Sequence, residues 1–110
     1  MGQYHQVYNV DKKEMICGHH IGNGLKLLEQ VGWPMSTSTA VFFLLANSNG
    51  RGGGDAASHP FIGRWAGDRI VVQGDYAEEG DQAYIADIDS YENISRDVLK
   101  MLEATVGDWE

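Results

Sequence analysis

The stretch STSTAVFFLLAN, residues 36–47, decides the architecture. Ser36, Thr37 and Ser38 offer side-chain oxygens that accept from the free N–H groups of a first helical turn. The run Ala40–Ala46 that follows is apolar throughout. A helix over Thr39–Asn47 of that composition is apolar on every side and belongs at the centre of a core. A buried strand is the alternative, because Val41, Phe42 and Phe43 favour sheets and the run is short. The helix is preferred on its cap and on Asn47 and Gly50, which suit the left-handed positions that end helices. At seven residues the run is far too short to span a bilayer of about 20 helical residues.

Working outward, Tyr4–Val10 alternates as a strand, Asp11-Lys12 reads as a turn, and Lys13–Gly18 as the returning strand of a hairpin. Gly22-Asn23-Gly24 breaks the chain before a helix over 25–31 with Leu25, Leu28 and Val31 on one stripe, stopped by Gly32-Trp33-Pro34. Beyond the central helix, Phe61–Trp65 and Arg69–Gly74 read as a second hairpin around Ala66-Gly67-Asp68. A strand follows over Ala83–Asp89. Ser95 caps a last helix to about Thr105, with Val98, Leu99, Leu102 and Val106 inward, Arg96 and Lys100 outward, and Gly107 as its stop. The order ββααβββα predicts a single compact α+β domain over residues 1–110. Its antiparallel sheet of two hairpins plus a strand is packed by about three helices.

Charge divides the chain. Residues 1–74 carry six basic and five acidic side chains, whereas residues 75–110 carry two and eleven, within a net charge of −8. Duplex nucleic acid is excluded as a partner, because neutralising phosphates takes clustered Lys and Arg. The acidic third suits solubility or a basic protein partner. The opening MGQYHQVYNV lacks the basic and apolar segments of a secretory leader, and Cys17 is the only cysteine, so a cytoplasmic setting without membrane attachment is expected.

The segments GQY (2–4), NVDKKE (9–14), GNGLKLLEQ (22–30), NGRGGGD (49–55) and GRWAGDRIVVQGDYAE (63–78) together resemble a family of small bacterial and phage-associated proteins. The resemblance extends over most of the chain, implies one compact domain, and brings no activity with it. One departure is Cys17-Gly18-His19, where the family carries a His-Pro-His stretch; a thiolate can replace an imidazole as a metal ligand.

The loop NGRGGGDAASHP (49–60) concentrates the candidate chemistry. Each ordered glycine costs roughly 0.5–1 kcal/mol against alanine, so Gly52, Gly53 and Gly54 need a reason if ordered. One is a concave nest of N–H groups around an anion. No Lys-Ser/Thr follows, which excludes a Walker loop, and the preceding helix excludes the dinucleotide fingerprint. Arg51, Arg64 and Arg69 lie in or just after the loop, and a guanidinium fork suits phosphate or carboxylate. The expected function is a non-catalytic binding module for a small anionic ligand, a nucleotide in the simplest case. Arg51, Gly52, Gly53, Gly54, Asp55, Arg64 and Arg69 would form the site, with Trp65 or Tyr76 stacking on a base. The competing reading is a slack connector with its arginines paired to Asp55 and Asp68.

A different function class is an acidic protein-interaction module, such as a phage-type inhibitor, that presents residues 75–110 to a basic surface. Metal binding by Cys17, His19, His20 and His59 fits no standard zinc spacing. The acidic turn 75–81 lacks the calcium-loop ligands at Ala77 and Ala86. Catalysis by Cys17 with His19 or His59 as base is the least favoured reading, and no cofactor is expected.

Overall fold

The structure, a computed structural model, describes residues 3–21, 27, 31, 35–49, 52 and 57–106. Strand β1 (His5–Asn9) turns through residues 10–13 into β2 (Glu14–Ile16), with Lys13 in the left-handed region at φ 57°. This is the hairpin the alternation predicts, with Val7 opposite Ile16 and Tyr8 opposite Met15. The return strand is shorter than expected, because Gly18–Ile21 winds into one helical turn, α1. The expected helix over 25–31 lies outside the described residues except for Leu27 and Val31, which are exposed.

Helix α2 (Thr37–Leu45) is the expected helix displaced two residues toward its N-terminus, with Ser36 as the N-cap accepting from the Thr39 N–H at 3.4 Å; it ends in extended backbone at Ala46 instead of a left-handed Asn47. Its burial is one-sided. Ala40 and Leu44 are fully buried, whereas Phe42 is 80 % exposed, so the helix lies against the core instead of through it.

The second hairpin does not form. Residues 60–67 run as successive turns, with N–H to carbonyl bonds from Ile62 to His59, Arg64 to Phe61, and Ala66 to Gly63. Their backbone also finishes α2, as the Gly63 and Trp65 N–H groups donate to the Phe43 and Leu44 carbonyls at 2.9 and 2.8 Å. Those carbonyls belong to the last turn of the helix, where i to i+4 donors run out, and Phe43 also takes the Ala46 N–H at 3.4 Å. Gly63 fits there at φ 86°; a Cβ would stand 2.8 Å from the Ala46 carbonyl oxygen.

Strand β3 (Ile70–Gly74) instead pairs antiparallel with β1, Val72 opposite Val7. The expected strand 83–89 is irregular and ends in a 3-10 turn, Ile88–Ser90. The Gln73 side-chain amide replaces a strand neighbour, accepting from the Ile85 N–H at 2.8 Å and donating to its carbonyl at 3.0 Å. A two-residue strand that the sequence reading missed, β4 (Glu92–Asn93), runs parallel to β2. The sheet is therefore mixed, with order β3-β1-β2-β4.

Helix α3 (Ser95–Val106) leaves β4 directly. Ser95 is not its cap: Ile94 accepts the first helical bond from Val98, and the Ser95 hydroxyl accepts from the Cys17 N–H at 2.7 Å. Val98, Met101 and Leu102 are buried, and Arg96 and Lys100 face solvent as expected.

Alternation along the strands sends successive side chains to opposite faces. On one face Val7 and Ile16 pack with Ala40, Leu44, Trp65, Val98, Met101 and Leu102. On the other, Tyr8 and Met15 pack with Cys17, Ile85 and Tyr91. Helices therefore cover one side of an α+β sheet, and the acidic segment 83–91 straps the other. Among the described residues no helix is long and apolar enough to cross a membrane.

Candidate functional site

Of the expected anion-site residues, Arg51, Gly53, Gly54 and Asp55 lie outside the described residues, and Gly52 is exposed. The other two arginines are engaged with carboxylates. Arg64 grips Glu14 with two nitrogens, Nε to Oε1 at 3.1 Å and Nη2 to Oε2. Arg69 holds Asp11 differently, with Nε and Nη2 both donating to Oδ1 at 3.1 and 2.8 Å while its backbone N–H donates to Oδ2 at 2.7 Å. The expected pairing of these arginines to Asp68 does not occur, since Asp68 takes Lys12 and the Asn9 amide instead.

Trp65 is fully buried, and its Nε1–H donates to Glu14 Oε1 at 2.8 Å. Its ring therefore belongs to the core, which leaves no face for a nucleobase. Tyr76 is exposed, but it follows β3 whereas Arg69 precedes it, so a strand of roughly 17 Å separates them. Arg64 and Trp65 meet on Glu14; the larger constellation does not converge among the described residues.

Glu14 is the buried anion of this region. Burial pushes its carboxyl up, yet the Arg64 guanidinium and the Trp65 indole outweigh that and hold it below the ordinary range. The same ion pair raises Arg64. Asp11, Asp68 and Asp87 are likewise lowered, first through hydrogen bonds from Arg69, Lys12 and Lys13 respectively. Burial is the main cause that lifts the Tyr8 phenol.

A cavity of about 360 Å³ lies between the described residues that precede and follow the glycine-rich stretch in the chain. Asn47, Ser48 and Asn49, leaving the end of α2, form one wall, and Ser58, His59 and Gly63 form another. His59 Nδ1 accepts from the Phe61 N–H at 3.1 Å, so in the neutral ring Nε2 carries the proton. Among the described residues the lining holds no carboxylate, ammonium or guanidinium group, and it offers both donors and acceptors: two amides, two hydroxyls and an imidazole. The sequence held a signal for it, because Asn47-Ser48-Asn49 and Ser58-His59 bracket the glycines as two polar clusters. They are easily taken for ordinary loop residues.

Among the described residues, no three His, Cys, Asp or Glu side chains are placed to hold a metal ion. Cys17 is a buried free thiol. The acidic turn 75–81 closes on itself, with the Glu78 N–H donating to Asp81 at 3.0 Å and Gly80 at φ 102°. Comparison with protein-family models, curated proteins and solved structures finds no match.

Proposed function

We propose that the chain is a non-catalytic binding module whose site is the polar cavity lined by the residues that flank the glycine-rich loop, Asn47–Asn49 on one side and Ser58–His59 on the other. The ligand is a small molecule that carries both a hydrogen-bonding edge and an anionic group, a nucleotide in the simplest case. The observation that carries this reading is the cavity itself. It is lined by residues that flank the glycines in the chain, and its volume of about 360 Å³ lies within the usual ligand-site range of roughly 300–1,000 Å³.

The contact set differs from the one the arginines suggested. Asn47, Asn49, Ser58 and His59 take the polar edge of a base or sugar. Arg51 and the glycine N–H groups of the loop take the anionic group. Arg64, Arg69 and Trp65 drop out, because each is committed to a carboxylate inside the protein. Two amides and an imidazole hydrogen-bond a ligand without supplying a nucleophile and base pair, which favours binding over catalysis. Isothermal titration calorimetry against mononucleotides and cyclic nucleotides tests this. Binding that weakens at least tenfold in both Asn47→Ala and Arg51→Ala supports it; heats indistinguishable from dilution for the whole panel refute it.

A second reading rests on a separate observation. Asp75, Glu78, Glu79, Asp81, Asp89, Glu92 and Asp97 are all exposed. Among the described residues, the only ion pair on this segment is Lys13–Asp87. An acidic surface so little neutralised suits docking to a basic protein, with an association rate that falls steeply with salt. Pull-downs with Glu78, Glu79 and Asp81 neutralised test it, and unchanged recovery of the same partner counts against it.

A further inference from the structure

The cavity lined by Asn47–Asn49, Ser58 and His59 contains one polar side chain whose hydrogen-bonding role is fixed. Asn47 and Asn49 each carry an amide oxygen and an amide NH2, and Ser48 and Ser58 each carry a hydroxyl. Such groups donate or accept according to what they meet. His59 has no such freedom. Its Nδ1 accepts from the Phe61 N–H at 3.1 Å, so the proton of the neutral ring sits on Nε2. The opposite tautomer sets two N–H groups against each other.

The residues around His59 hold this arrangement. Pro60 has no N–H, which makes the Phe61 amide the first donor after His59. The His59 carbonyl takes the next one, from Ile62, at 3.1 Å. The imidazole also meets the Phe61 ring edge-on, with centroids 6.1 Å apart. Phe61 packs against the core and carries the Arg64 guanidinium 4.9 Å from its ring centre, and Arg64 is in turn clamped on Glu14. The imidazole is therefore positioned before any ligand arrives, as a site that discriminates requires.

With Nδ1 committed to the turn, Nε2–H is the one imidazole nitrogen left for a ligand, and no described residue takes it. A ligand seated against it must present an acceptor. Nucleobases divide on this point. Guanine and uracil carry a carbonyl oxygen at the exocyclic position where adenine and cytosine carry an NH2. Against Nε2–H the oxygen forms a bond, whereas the amino group leaves two donors facing one another. The neighbouring amides and hydroxyls cannot impose that choice, because they turn to suit either group.

We propose that His59 is the specificity-determining donor of this cavity and selects a keto-bearing base, guanine or uracil, over an amino-bearing one. The inference rests on the reading of the cavity as a nucleotide site and adds which bases it takes.

Two measurements test it. NMR of the imidazole nitrogens in the ligand-free protein reads the tautomer. A neutral His59 with its proton on Nε2 is expected; a proton on Nδ1 overturns the proposal and leaves the cavity reading intact. Calorimetry then compares guanosine with adenosine monophosphate, and uridine with cytidine monophosphate. The keto member of each pair is expected to bind about tenfold more tightly, the effect of one donor left unpaired in a half-buried position. His59→Asn keeps an acceptor for the Phe61 N–H, as in an Asx-turn, but places no group at the Nε2 position. It is expected to fold as wild type by circular dichroism and to bind both members of each pair alike. Equal binding of keto and amino nucleotides by the wild type, or a preference that survives in His59→Asn, overturns the inference while ligand binding by the cavity stands. Should the variant unfold, the wild-type tautomer and the wild-type preference decide. Failure of all four nucleotides to bind overturns both readings together.

Discussion

Glu14 is the side chain whose removal has the largest consequence that the geometry allows to be worked out. It is 5 % exposed, and it accepts from two Arg64 nitrogens and from the Trp65 indole. Glu14→Ala strands a fully buried indole N–H, at about 1–3 kcal/mol. It also leaves Arg64 without its partner. Breaking a fully buried pair costs about 3–5 kcal/mol, but the Arg64 side chain is 38 % exposed and regains water, so the contribution is smaller. A total loss of about 3 kcal/mol is expected for Glu14→Ala. Glu14→Gln, which keeps one acceptor oxygen, is expected to lose about 2 kcal/mol.

Urea unfolding at neutral pH, followed by circular dichroism, measures both losses, with an unchanged m-value confirming that stability alone has moved. The pH dependence has a definite sign. Folding lowers the Glu14 pKa, so the native state binds its proton less readily than the unfolded chain. The stabilisation is complete above the ordinary value of 4.5 and is lost as pH falls through the lower native value. Glu14→Gln should therefore flatten the acid limb of the stability profile. A Glu14→Ala loss within the roughly 0.5 kcal/mol typical of surface changes would refute the account of this cluster.

Three further substitutions probe separate features. The Thr37 hydroxyl is buried with no hydrogen-bond partner among the described residues, so Thr37→Val should raise stability by about 1 kcal/mol in thermal or urea unfolding. Gly63→Ala combines a positive φ with a contact on the Ala46 carbonyl and should cost about 2 kcal/mol, measured the same way. Gln73→Leu removes both bonds to the Ile85 backbone; it should cost about 2 kcal/mol and speed hydrogen exchange at Ile85 selectively.

The elements legible in the sequence are those whose signals are local. The β1–β2 hairpin follows from alternation around a short turn, α2 from its Ser36 cap, and α3 from a helical stripe that ends in Leu102. The misread elements have distant partners. Phe61–Trp65 alternates like a strand, but its N–H groups are needed by the end of α2, some twenty residues earlier. The segment 83–89 also alternates, yet one glutamine side chain occupies the backbone of Ile85. β4 is two residues long and exists because the Glu92 and Ile94 N–H groups reach the Lys13 and Met15 carbonyls.

The same distinction applies to the site. Glycine content directed attention to the loop 49–55, and the described residues on either side of it, Asn47–Asn49 and Ser58–His59, line a cavity that the glycines themselves do not predict. The arginines misled because their partners are distant in the chain, Glu14 lying 50 positions from Arg64 and Asp11 58 positions from Arg69, a separation that spacing does not reveal. Phe42 is the converse case. Its helix is apolar all round, and nothing in the pattern says that the Phe42 side is the exposed one.

The central proposal is that a small ligand enters the cavity lined by Asn47–Asn49, Ser58 and His59. Its most direct measurement is a two-dimensional amide NMR titration with the nucleotides used in calorimetry. Shifts concentrated at Asn47, Ser48, Asn49, Ser58 and His59, saturating with one ligand per chain, are the predicted result. A titration that moves none of these amides, or moves only those of the acidic segment 75–92, contradicts it.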